Sequence, residues 1–354
     1  MKWLLDAKQV GAKQVGTRIG ARKVLSVVMA TAVAMSPAMA GPALLFDAAN
    51  GRVLYAEDQD DQWHPASLTK IITAYLVFEA VRDGKISLQS KIKVSELAHS
   101  QPPSRLGLPV GAEITVETAL QAVIIKSAND ASVMLAEAVA GTEEAFAERM
   151  NEVAKRLGMT RSHFVNANGL PAPEQVTTAR DLAKLTVAVV RDFPQFVHLW
   201  GMEEMRLGKR VIRNHNPLLH TYEGTDGMKT GFICDAGYNL VASASRDGLK
   251  LVAVVLGETT GKNRSERAAN LLEHGFQTLS WKTMFGTETL DTLPMAADAK
   301  SAASIRQHVI SWVCGNPPRV ARTKGKRRVS STKTKAASKA KAGAAAKKAK
   351  GDSD

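Results

Sequence analysis

The chain has 354 residues, 45 % hydrophobic and 23 % charged, enough apolar surface to offset the entropy of ordering it, so wholesale disorder is excluded. Two cysteines are too few for a disulfide scaffold. The formal charge of +13 sits at the ends, with +5 on residues 1–40 and +11 on residues 315–354; the −3 left for 41–314 argues against a nucleic-acid groove, which needs cations clustered on a folded face.

Residues 1–40 read as an export signal. Basic residues reach Lys23, an apolar run covers Val24 to Met35, and Ala38-Met39-Ala40 forms a small-x-small cleavage site after Pro37. The run is too short to span a bilayer of about 30 Å, so cleavage before Gly41 is expected, and with it a place in the periplasm or cell envelope.

After Gly41, Ala43–Asp47 and Arg52–Ala56 flank Asn50-Gly51, whose tolerance of positive φ predicts a hairpin. Ser67–Val81 is apolar at helical spacing, with Pro65 before it and Asp83-Gly84 after it. Helices are also predicted over Val116–Lys126, Asp130–Ala140, Glu143–Leu157 and Ala179–Val190. Strands return at Met228–Ile233, Asn239–Ser245 and Lys250–Leu256, and a helix follows over Ser265–Leu279. Strands from both ends around a helical insert predict a mixed α/β fold with an antiparallel sheet. The expected division is one folded domain at 41–285, a short extension at 286–318 and a disordered Lys/Ala-rich tail at 319–354.

Chemistry concentrates at Ser67-Leu-Thr-Lys70. Residues i and i+3 share a helix face, which puts a hydroxyl beside an amine. Spacing alone is weak, since Ser90–Lys93, Ser330–Lys333 and Ser338–Lys341 repeat it; the apolar helix around Ile71, Ile72, Tyr75, Leu76 and Phe78 sets the first apart by desolvating its lysine. A lysine acts as a base only when neutral, and both burial and a nearby cation favour that form. Lys229 in Lys229-Thr230-Gly231 is the candidate cation, on a strand whose glycine would let a substrate backbone lie close. Ser127-Ala-Asn129, at a break between helices, offers a hydroxyl for proton relay and an amide for a substrate carbonyl.

Ser-x-x-Lys, Ser-x-Asn and Lys-Thr-Gly in this order form the set found in penicillin-binding proteins and class A β-lactamases. The surrounding text, PASLTKIITAYLVFEA, IIKSANDASVMLAEAVAG and TDGMKTGFICDAGYNLVASA, resembles the low-molecular-mass penicillin-binding proteins that are serine-type D-alanyl-D-alanine carboxypeptidases, over about 41–280. The resemblance implies a β-lactamase/transpeptidase-like fold, peptidoglycan stem peptides ending in D-Ala-D-Ala as substrate, and β-lactams as inhibitors. It implies Ser67 as nucleophile, Lys70 as its base and Ser127 as proton relay. Asn129 would orient the peptide, Lys229 and Thr230 would bind its terminal carboxylate, and the N–H groups of Ser67 and Phe232 would form the oxyanion hole. Endopeptidase action on cross-links, or a non-catalytic envelope-binding role on the same fold, are the alternatives.

The segment from Phe164 to Glu174 has one glutamate but not the motif that positions a deacylating water in class A β-lactamases, so penicillin is expected to inhibit rather than be consumed. His215, in Asn214-His-Asn216, stands where an arginine or another polar residue is expected in some relatives; both a solvated and a pocket role are open. Neither the histidines nor the cysteines show metal spacing, so no metal and no other cofactor is expected. Cys234 and Cys314 either pair or stay free. Ser301–Cys314 places Ile305, Val309, Trp312 and Val313 at i, i+4, i+7 and i+8, the stripe of an amphipathic helix suited to a membrane surface or to packing on the domain. The tail beyond it suits weak contact with anionic envelope polymers, export speaking against DNA.

Overall fold

The computed structural model describes residues 41–285 and 288–317. The expected export signal and basic tail lie outside these residues.

The strands β1 (Ala43–Asp47) and β2 (Val53–Glu57) form the expected hairpin around Asn50-Gly51. A 3-10 turn, Ala66–Thr69, leads into α1 (Lys70–Arg82). The insert continues through β3 (Lys91–Lys93), α2 (Glu96–Ser100), β4 (Glu113–Thr115) and α3 (Val116–Gln121), a π turn at Ala122–Lys126, then α4 (Asn129–Ala140), α5 (Glu143–Arg156) and α6 (Ala179–Asp192). Two short strands, β5 (Glu204–Leu207) and β6 (Arg210–Arg213), and α7 (Leu218–Thr221) precede β7 (Thr225–Ile233), β8 (Gly237–Arg246) and β9 (Leu249–Glu258). The long α8 (Gly261–Phe285) follows.

The main sheet is antiparallel, in the order β2-β1-β9-β8-β7, so residues from the two ends of the domain meet at the β1–β9 pair, Leu45 opposite Ala253. Alternation along β9 decides which layer each side chain joins. Val252, Val254 and Leu256 pack with Leu44 and Phe46 against the insert helices, whereas Leu251, Ala253 and Val255 pack with Leu45 against Ala268 and Leu272 of α8. Both faces are covered, which is why these strands read as apolar runs. The helix α1 threads the core with Ile71, Ile72, Val77 and Phe78 buried. Among the described residues no helix is long and apolar enough to cross a membrane.

The amphipathic helix expected over Ser301–Cys314 does not form. The chain there is irregular apart from a 3-10 turn at Arg306–His308 and a turn closed by the Ser311–Asn316 bridge. Two of its backbone donors go to neighbouring loops and others close short i→i−3 turns, not an i→i−4 ladder: Ile305 donates to Asp235 O at 2.9 Å and Ile310 to Thr259 O at 3.0 Å. Cys234 and Cys314 form a disulfide with Cα atoms 5.5 Å apart, which resolves the open pairing. Ile305 and Val309 are buried in a cluster that Trp63, Phe232 and Tyr238 pack against, but Trp312 and Val313 face outward, so no continuous stripe exists.

Candidate active site

The turn that carries Ser67 is anchored from below. Asn239, fully buried on β8, donates from its amide to His64 O at 3.0 Å and Pro65 O at 3.2 Å, and accepts from Gly257 N at 2.9 Å. Trp63 adds a hydrogen bond from its indole to Ala236 O at 2.9 Å. Ala66 is forced to φ +50, a left-handed conformation that a non-glycine residue adopts only when its surroundings hold it there. This elbow precedes Ser67.

One turn on, the Lys70 amine is completely buried and placed with three neighbours. It lies 3.1 Å from Ser67 Oγ, donates to Asn129 Oδ1 at 2.8 Å, and makes a short hydrogen bond to Asn168 O. Burial, and next the Lys229 charge, hold its pKa well below that of an ordinary lysine. A neutral amine has two N–H donors and one lone pair. With the donors taken by Asn129 and Asn168, the lone pair faces the Ser67 hydroxyl.

Ser127 ends the π turn with φ +59, which turns the chain out of one helix before Asn129 starts α4. Its Oγ accepts from Lys229 Nζ at 2.9 Å. Lys229 also donates to Thr230 O at 3.0 Å, and burial, followed by the Arg264 charge, brings its pKa down to about 7. Ser67, Ser127, Asn129, Thr230, Gly231 and Phe232 thus line one cleft of about 520 Å3, with Lys70 and Lys229 just beneath it.

Two details differ from the sequence reading. The close approach that Gly231 permits is to the protein's own turn: a Cβ there would sit 2.9 Å from Pro65 O and 3.2 Å from Leu68 N, so the glycine brings β7 against Ser67. Asn129 has a task besides substrate. Its Nδ2 donates to Pro102 O at 2.9 Å while its Oδ1 holds Lys70.

Sequence reasoning missed Asn168, Gly169, Asn239 and Arg264. Asn168 acts through a backbone carbonyl, which any residue would supply, and Gly169 has φ +84 with Ala66 O only 1.9 Å from where a Cβ would stand. Asn239 lay inside the recognised GYNLVASA text without a chemical signal of its own. His215 lines the cleft; burial first, then Lys229 and Lys126, push its imidazole down to about 4, so it is neutral at pH 7. Among the described residues no group of three or more His, Cys, Asp or Glu could hold a metal ion.

Residues 29–260 match the peptidase S11 family model, described as D-alanyl-D-alanine carboxypeptidase. The chain belongs to this family. Among its S11 relatives, D-alanyl-D-alanine carboxypeptidase DacC of Escherichia coli is 40 % identical over 241 residues, covering 66 % of this chain and 60 % of that protein. DacF of Bacillus subtilis is 36 % identical over 239 residues, covering 66 % and 61 %. The chain therefore spans about three fifths of the length of these S11 carboxypeptidases. The crystal structure of penicillin-binding protein 6B from Escherichia coli superposes with a TM-score of 0.65 at 36 % identity, covering 67 % of this chain and 77 % of that one. Penicillin-binding protein D2 from Listeria monocytogenes, solved with cefotaxime bound, gives 0.62 at 31 % identity, covering 67 % and 97 %.

Proposed function

We propose that the protein is an exported serine-type D-alanyl-D-alanine carboxypeptidase of the cell envelope that trims the terminal D-alanine from peptidoglycan stem peptides and is inhibited by β-lactams. The observation that carries this reading is the Lys70 amine, buried, with both N–H donors engaged and its remaining valence facing Ser67 Oγ. Family membership supports it, as do solved relatives with cefotaxime or ampicillin bound.

Lys229 and Thr230 hold the substrate's terminal carboxylate, a charge-assisted contact that selects free C-termini. The Ser67 hydroxyl transfers its proton to Lys70 as Oγ bonds to the carbonyl carbon, and the oxyanion is held by the N–H groups of Ser67 and Phe232. Collapse breaks the C–N bond; the proton on Lys70 passes through Ser127 to the departing amine, and D-alanine leaves. Water then attacks the ester, giving a proton to Lys70 and restoring Ser67. The catalytic unit is residues 41–285, and the basic tail 319–354 contacts anionic envelope polymers, so its deletion lowers the salt needed to release the protein from envelopes.

Release of D-alanine from a blocked peptide ending in D-Ala-D-Ala, together with labelling by a fluorescent penicillin, tests the reading. Ser67→Ala is expected to abolish both; labelling that persists in that variant overturns it.

A further inference from the structure

Beyond the end of β7 the cleft is lined by Cys234 and Asp235 and, from a strap formed by residues 301–317, by Arg306 and Val313, which none of the proposed chemical steps uses. The disulfide, the Ile305–Asp235 hydrogen bond and the burial of Val309 pin this strap beside Phe232 and Cys234. At its far end Ser311 and Asn316 exchange backbone hydrogen bonds of 2.7 and 3.0 Å, and Gly315 donates to Trp312 O at 3.2 Å. That closed turn holds Trp312 and Val313 outward at 74 % and 80 % exposure, with Val313 on the cleft lining. Arg306 lines the cleft as well; its side chain is more than half exposed and among the described residues its ion-pair partner is a distant carboxylate oxygen of Asp235, 3.7 Å away, while Asp235 accepts a closer bond of 2.6 Å from Ser304 Oγ.

The direction of the substrate follows from the proposed function, on which this inference rests. With the terminal carboxylate at Thr230 and the scissile carbonyl at the Phe232 N–H, a peptide added to the free edge of β7 runs antiparallel to it. Its upstream residues then pass Ile233 and Cys234 and reach the strap. We infer that the disulfide-tethered strap is a specificity wall, on which Arg306 pairs with a carboxylate carried by the residues upstream of the D-Ala-D-Ala pair while Val313 packs against the peptide.

The experiment compares kcat/KM for two blocked tetrapeptides, Glu-Glu-D-Ala-D-Ala and Gln-Gln-D-Ala-D-Ala. The wild-type protein is expected to prefer the carboxylate-bearing peptide about tenfold, the scale of one charge-assisted contact. Arg306→Gln is expected to erase that preference and Arg306→Lys to keep part of it, an outcome that a merely structural role for Arg306 would not produce. Equal rates on the two peptides in the wild type, or a preference that survives in Arg306→Gln, overturn the inference while leaving the carboxypeptidase reading intact. Release of D-alanine from neither peptide, with no penicillin labelling, overturns both.

Discussion

Lys229 donates to Ser127 Oγ at 2.9 Å across 102 positions of sequence, joining the sheet to the helical insert at the floor of the cleft. The same ammonium helps to lower the pKa of Lys70, so in the proposed reaction one buried cation serves both the relay hydroxyl and the base. This coupling sets the pH profile. In the proposed reaction Lys70 works only when deprotonated, and its pKa lies well below the ordinary lysine value, so kcat/KM should fall on the acid side as Lys70 gains a proton. As the proposed carboxylate ligand, Lys229 binds only when charged, and its pKa is brought down to about 7, so kcat/KM should fall again above that value. A bound carboxylate opposes the burial effect and restores the charge, so the alkaline limb of kcat should lie at higher pH than that of kcat/KM. Coincident alkaline limbs in the two profiles would rule out Lys229 as the carboxylate ligand.

Gly169→Ala should damage the reaction more than the fold. The substitution must accommodate φ +84 and a methyl group 1.9 Å from Ala66 O, so the loop has to retreat from the nucleophile turn. The Asn168 carbonyl, one residue away, then loses its hold on Lys70. A fall in acylation rate of about 100-fold is expected, the scale of losing one positioned group in the transition state, measured by stopped-flow labelling with a fluorescent penicillin.

Which parts of this arrangement were readable from sequence follows from how local each signal is. The Asn50-Gly51 hairpin and the pairing of Ser67 with Lys70 depend on neighbours within a few positions, and both appear as expected. The Cys234–Cys314 pair spans 80 residues and has no local signature. Ile305 and Val309 mimic a helical stripe because a 3-10 turn between them also brings the chain back to one side; only tertiary hydrogen bonds, such as Ile310 to Thr259, reveal that no helix is present. Lys70's second acceptor is a backbone carbonyl, for which no side-chain pattern exists.

Asp60 and Arg180 form a buried ion pair of 2.6 Å that acts as a hub for residues 290–296. Arg180 also donates to the carbonyls of Leu290, Leu293 and Pro294, and Asp60 accepts from Ala296 N. Removing the carboxylate leaves the guanidinium buried without its counter-charge, so Asp60→Ala should cost about 3–5 kcal/mol, read from urea midpoints at unchanged m-value. A loss below about 1 kcal/mol would mean that water reaches Arg180 in the variant.

Reduction of the Cys234–Cys314 bond should lower the melting temperature. The bond closes a segment of 80 residues and so restricts the unfolded chain, a contribution of about 4.5 kcal/mol. For a domain of this size that corresponds to roughly 10 °C. Calorimetry with and without a thiol reductant, with the double serine variant as control, measures it; a variant that melts with the oxidised protein would contradict the expectation.

His215→Arg tests whether the neutral imidazole sets the working range of Lys229. His215 is held uncharged to well below neutral pH by burial and by Lys229, Lys126 and Arg264, so it adds no cation to the cleft over the working range. An arginine at this position stays protonated and adds a like charge beside Lys229, which favours the neutral lysine. The alkaline limb of kcat/KM should therefore move to lower pH, by about one pH unit at low ionic strength and less in high salt, because a partly solvated guanidinium is screened. Below that limb the additional cation attracts the substrate carboxylate, so KM should fall while acylation by a neutral penicillin ester remains close to the wild-type rate. A profile that does not move, or one that moves to higher pH, would show that position 215 is electrostatically isolated from Lys229.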